Sequence, residues 1–144
     1  MHETWRLTWR VGFAPHFTDC ELESLRSALL TDDPRLIQGA TTHPKPLACN
    51  LDWPAEGACG VSYGPWQGSG LWTVRDLEER FSEICYLADE ALKEPAACRW
   101  FLNWFDDTER GEMRRSLLAE VSRELARRAE KQHPQEAPCS PNFA

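Results

Sequence analysis

The sequence lacks any apolar run approaching the ~18–20 residues that a membrane-crossing helix needs, which excludes a helical span. Its opening, MHETWRLTWR, lacks a basic region followed by an apolar one, so no secretory leader is expected and the chain reads as soluble and cytoplasmic. Close pairs of metal-ligating residues are missing. The six cysteines (20, 49, 59, 85, 98, 139) and four histidines (2, 16, 43, 133) include no C-x2–4-C or H-x3–5-H spacing. Neither a G-x-G-x-x-G nor a G-x-x-x-x-G-K-[ST] loop occurs, so nothing announces a phosphate cradle. Excess positive charge is missing too. Sixteen basic against 23 acidic residues give a formal charge of −7, which argues against a protein whose main task is neutralising phosphates.

What is present is a chain of 144 residues with 42% hydrophobic and 27% charged side chains, an ordinary balance for one globular domain. A core of that size needs no disulfide staples, and the wide, irregular cysteine spacing reads as reduced thiols. Residues 4–13 alternate, with Trp5, Leu7, Trp9, Val11 and Phe13 on one side, and predict a β-strand. Its expected partner is 59–63, where Cys59, Val61 and Tyr63 alternate; residues 35–38 are a poorer candidate.

Four helices are predicted. The first, 19–31, has a capping box of Thr18 and Glu21 and a staple of Phe17 with Leu22, and Pro34 ends it by about Asp32. The second, 73–92, is capped by Thr73 with Asp76 at the third position and a staple of Trp72 with Leu77. Pro95 suits the first turn of a third, 95–105, whose Trp100, Phe101, Trp104 and Phe105 mark a central core helix. The last, 109–130, turns Met113, Leu117, Leu118, Val121 and Leu125 inward. The expected fold is helix-dominated α+β: an N-terminal strand and helix packed on a three-helix C-terminal bundle. The compact domain is expected over 1–131, with a mobile tail at 132–144.

Residues 39–72 break the pattern. They hold six of the eight glycines and four of the ten prolines, yet also Leu47, Leu51, Trp53, Val61, Tyr63, Trp66, Leu71 and Trp72, which no linker would carry. The stretch from Gly64 to Gly70 reads as a tight turn that presents or buries Trp66. Of seven tryptophans, only Trp53 and Trp66 have no period or staple to explain them. Ordered loops that carry aromatics are favoured docking surfaces. The function expected is therefore an interaction module that docks a partner protein, or a second copy, through Trp53, Trp66 and Tyr63, with Asp52 and Gln67 fixing orientation. No cofactor, metal or membrane is expected.

Two other readings stand beside it. Cys59, Cys49 and His43, with Asp52 as orienter, would make a small thiol- or metal-dependent enzyme, and helix-start positions favour thiolate at Cys20 and Cys98. Arg6, Arg10, Arg123, Arg127 and Arg128 would make an accessory subunit of a nucleic-acid-processing complex if they formed one patch. The bland reading of those arginines is intrahelical pairing, Glu120 with Arg123 and Glu124 with Arg128. Asp32-Asp33 reads as closing the first helix before Pro34, Asp106 to Thr108 as the break and cap before the last helix, and Glu78-Glu79 as a solvated turn, rather than acid–base dyads. The acidic block 76–112, with eleven acids and four bases, reads as solvated helix faces.

Overall fold

A computed structural model of the protein describes residues 3–132. The expected tail lies outside the described residues from His133 onward, as do Cys139 and His2.

Residues 4–13 are helical, not a strand. Helix α1 (Thr4–Leu7) runs into a π-helical segment (Thr8–Phe13) and a 3-10 turn (Ala14–His16). The buried positions are Trp5, Thr8, Trp9, Gly12 and Phe13, the spacing of a helical face. Trp5, Trp9 and Phe13 are four apart, so they satisfy a period of two and a period near four equally. Leu7 and Val11, which only a strand would bury, are exposed. Gly12 decides the matter, because a Cβ there would stand 3.0 Å from Ala88 Cβ. The helix face must be flat at that point to accept the neighbouring helix.

Helix α2 (Asp19–Thr31) starts at the predicted capping box. Glu21 N donates to Thr18 Oγ1 at 3.1 Å, and Thr18 N to Glu21 Oε1 at 2.9 Å. Asp32, left-handed at φ 55°, ends it, and Arg114 donates to the freed carbonyls of Leu29 and Leu30. The only strands among the described residues are β1 (Thr42–His43) and β2 (Gly57–Ala58), antiparallel with Thr42 opposite Ala58. Leu36 makes a single bridge to Ala58; neither segment expected to pair with residues 4–13 does so, because those residues are helical. Residues 59–62 instead turn into α3 (Tyr63–Ser69). Gly64 and Gly68 lie on one face of α3, against the start of α2. A Cβ on Gly68 would fall 2.6 Å from Glu21 Cα. The glycines predicted to make a tight turn permit helix-on-helix contact instead.

Helix α4 (Val74–Leu92) is capped by Thr73 as predicted. Helix α5 (Cys98–Asp107) starts three residues later than Pro95 suggests. Ala96 is left-handed at φ 60°, which breaks the first turn expected there. Asp89, reaching from α4, accepts from Cys98 N at 2.7 Å. Helix α6 (Arg110–Lys131) is capped by Glu109 rather than by 106–108.

The architecture is helix-dominated α+β, as expected, but the C-terminal helices are not a bundle in their own right. The N-terminal helical segment packs among them: α4 against its π-helical part, α5 against α1, and α6 against α2. Phe101 is the hub of the core, with ring contacts to Trp5, Trp9, Phe13, Trp104 and Phe105. The expected core position of Trp100 is not used; it lies 43% exposed. No helix among the described residues is long and apolar enough to cross a membrane.

Candidate functional site

The loop 44–56 is ordered for a specific reason. Every helix begins with N–H groups that have no partner within it. In α4, Val74 N donates to Trp53 O at 3.0 Å and Arg75 N to Leu51 O at 2.8 Å, while the third N–H, on Asp76, goes to the Thr73 hydroxyl. Ala55 N returns the contact to Trp72 O at 2.8 Å. Buried Asn50 closes the loop on itself, accepting from Leu47 N and donating to Lys45 O. A segment without helical period is thus fixed by the unmet hydrogen bonds of the helix that follows it.

That backbone presents apolar side chains to solvent. Leu47, Trp53 and Trp72 are 61%, 55% and 57% exposed. Pro54 and Thr73 form an antiparallel bridge, which brings the backbone segments that carry Trp53 and Trp72 side by side. Asp52 is exposed beside them and pairs with Arg75 at 3.2 Å. Trp72, expected to be a buried staple, is instead part of this surface. It stands before the helix cap, where no periodicity speaks for or against its burial.

The other expected docking residues sit on α3 and do different work. Tyr63 is buried and donates to Asp33 Oδ2 at 2.8 Å. Burial, with that carboxylate, pushes its phenol up to about 12. Trp66 is half-buried, edge-on to Tyr63 at 5.7 Å, with the Arg35 guanidinium 5.4 Å above its ring. Arg35 also forks onto Asp33, whose carboxyl is held well below the usual range, chiefly by that hydrogen bond. Gln67 is exposed. The structure therefore joins Trp53 with Asp52, and Tyr63 with Trp66, on separate elements.

The thiol residues are scattered. His43 is exposed on β1, 3.7 Å from Glu56, Cys49 is exposed, and Cys59 is buried. Among the described residues, no group of three or more His, Cys, Asp or Glu side chains could hold a metal ion. Burial pushes the Cys59 thiol up to about 11, although Val61 N donates to its sulfur. Burial raises the Cys98 thiol, helped by Asp89, against the thiolate that a helix-start position alone would favour.

The arginines expected to contact nucleic acid are mostly committed internally. Glu120, almost fully buried, accepts from Arg6 Nη1 at 3.0 Å and from Arg10 Nε and Nη2 at 2.8 and 2.9 Å. Glu124, one turn further along α6, accepts from Arg127 and Arg128, and Arg128 also reaches Asp19 and Ala14 O. Burial alone would raise the Glu120 carboxyl, but the two guanidinium groups reverse this and lower it. Of the five, Arg123 alone is exposed and without an ion pair among the described residues, and the expected Glu120–Arg123 pair does not form. The acid pairs serve structure: Asp32 pairs with Arg110, Thr42 donates to Glu78, and Asp106 accepts from Gly39 N.

Fold and surface together define a helix-dominated α+β domain that carries a hydrogen-bonded aromatic loop. No family model, curated protein or solved structure matches the chain.

Proposed function

We propose that this protein is a cytoplasmic interaction module that docks a partner protein through the loop surface of Trp53 and Trp72, with exposed Leu47 in the same loop. One observation carries the reading: two tryptophans are more than half exposed on a backbone held by three hydrogen bonds to a helix start. Leaving such rings in water forgoes burial that would stabilise the chain, and a partner that covers them recovers it. Because the backbone is already fixed, little ordering entropy opposes docking. Asp52 and Arg75 supply a polar edge. Tyr63 and Trp66 brace α3, and Gln67 adds an exposed amide there. The free thiols Cys49, Cys59, Cys85 and Cys98 fit a reducing compartment. The internal pairing of Arg6, Arg10, Arg127 and Arg128 favours a protein partner over a nucleic acid.

The test is comparative capture from the native cell extract. Wild type and Trp100→Ala should retain a common protein that Trp53→Ala/Trp72→Ala releases, with the circular dichroism of all three unchanged. Equal retention by the double variant overturns the proposal. Concentration-dependent dimerisation that the double variant abolishes would replace the partner with a second copy.

A further inference from the structure

Helices α1 and α5 leave a groove of about 630 Å3 between them. Its apolar lining is Leu7, Trp100, Trp104 and Trp5, and Trp5 stacks on Trp104 with centroids 3.5 Å apart and planes 4° apart. That stack makes a rigid wall, while Leu7 and Trp100 are 52% and 43% exposed. Thr4, Asn103 and Arg99 are the polar groups. Apolar walls with a few polar groups, in a volume of roughly 300–1,000 Å3, are the usual make-up of a small-molecule site.

Arg99 says which small molecule. Nine other arginines form ion pairs with carboxylates. Arg99, like Arg26, Arg115 and Arg123, has no ion pair among the described residues, but it alone of these four lines the groove, in a chain of net charge −7. Its guanidinium donates once, from Nη2 to Asn103 Oδ1 at 3.0 Å. That bond orients the Asn103 amide and leaves its NH2 as a further donor. Asp106 borders the smaller cavity that Arg99 also lines, but Asp106 is held by Gly39 N. A lone guanidinium with an amide donor beside it matches the two coplanar oxygens of a carboxylate. A phosphate would call for more positive charge than one arginine provides.

We propose that this groove binds a small amphiphilic carboxylate. The apolar body of the ligand lies along Leu7, Trp100 and Trp104, and Arg99 takes the carboxylate with Asn103 as second donor. The site is independent of the loop surface.

The probes are decanoate, 1-decanol and decylammonium, each below its aggregation limit, titrated into the full chain with tryptophan fluorescence and calorimetry as readouts. Decanoate binds saturably and shifts the emission to the blue. It binds at least about tenfold more tightly than decanol, the scale of a charge-assisted hydrogen bond. Decylammonium binds more weakly still, although the acidic chain attracts it. Arg99→Gln brings decanoate down to the level of decanol, and Trp100→Ala weakens both. Trp53→Ala/Trp72→Ala leaves all three unchanged, which separates this proposal from the docking reading. It is overturned if decanoate fails to saturate, if decanol or decylammonium binds as tightly, or if Arg99→Gln binds decanoate like wild type.

Discussion

Replacing Gly68 with alanine tests how α3 is seated. In an ordinary helix interior, alanine in place of glycine stabilises by about 0.5–1 kcal/mol. Here the new Cβ would stand 2.6 Å from Glu21 Cα and 2.7 Å from the Cys20 carbonyl oxygen. Both are backbone atoms of a capped helix, so neither can swing aside, and α3 must back away from α2. Overpacking of this kind costs about 1–3 kcal/mol. The retreat also threatens the hydrogen bond from Ser69 Oγ to Glu21 Oε2, worth about 0.5–1.5 kcal/mol. The losses exceed the propensity gain, and the net destabilisation comes to about 2 kcal/mol. With a urea slope of about 1.5–2 kcal/mol/M, the unfolding midpoint falls by about 1 M. Gly111→Ala is the control. Its nearest contacts are the Glu109 cap carboxylate oxygens at 3.2 Å, a side chain that need give only slightly and not a fixed backbone, so its midpoint falls much less. A Gly68→Ala protein as stable as wild type would refute the account of α3 packing.

Glu120→Gln removes the counter-ion of Arg6 and Arg10 and destabilises by about 1–2 kcal/mol at pH 7, a figure already reduced for the partial exposure of both arginines. Because the folded Glu120 carboxyl titrates below its ordinary value, its contribution is complete above the unfolded glutamate range and fades as pH falls through the folded value. Urea midpoints of the two proteins should differ at pH 7 and draw together as the pH falls below the unfolded glutamate range; a gap independent of pH would mean that the carboxylate charge is not its cause. Native alkylation with iodoacetamide at pH 7.5, mapped by mass spectrometry, should label exposed Cys49 and spare Cys59, Cys85 and Cys98. Burial raises all three of those thiols. Fast labelling of Cys59 in the folded chain would contradict its placement.

Helices α2, α4 and α6 were legible in the sequence because their signals are local. Thr18 with Glu21, and Thr73 with Asp76, satisfy the first amides of their own helices within three residues. The helix-dominated class followed from those segments. The N-terminal segment was misread because Trp5, Trp9 and Phe13 recur at a spacing that strand and helix share, and only Ala88 packing against Gly12 separates the two. The glycines of α3 looked like turn residues for the same reason. Their use depends on α2, some forty residues away in sequence.

In the candidate docking surface, the sequence marked Trp53 as unexplained by any period, and the ring lies exposed. It could not separate Trp53 from Trp66, nor reveal Trp72. Those fates are set by Tyr63 and Arg35 around one ring, and by the loop that pairs alongside the other. The sequence by itself thus determined the capped helices, the absence of a helical membrane span and the charge balance, all of which depend on neighbours within a turn or on composition. Tertiary structure decided the N-terminal helix, the order of the loop and the pairing of the arginines, because each depends on groups that only the folded chain brings together.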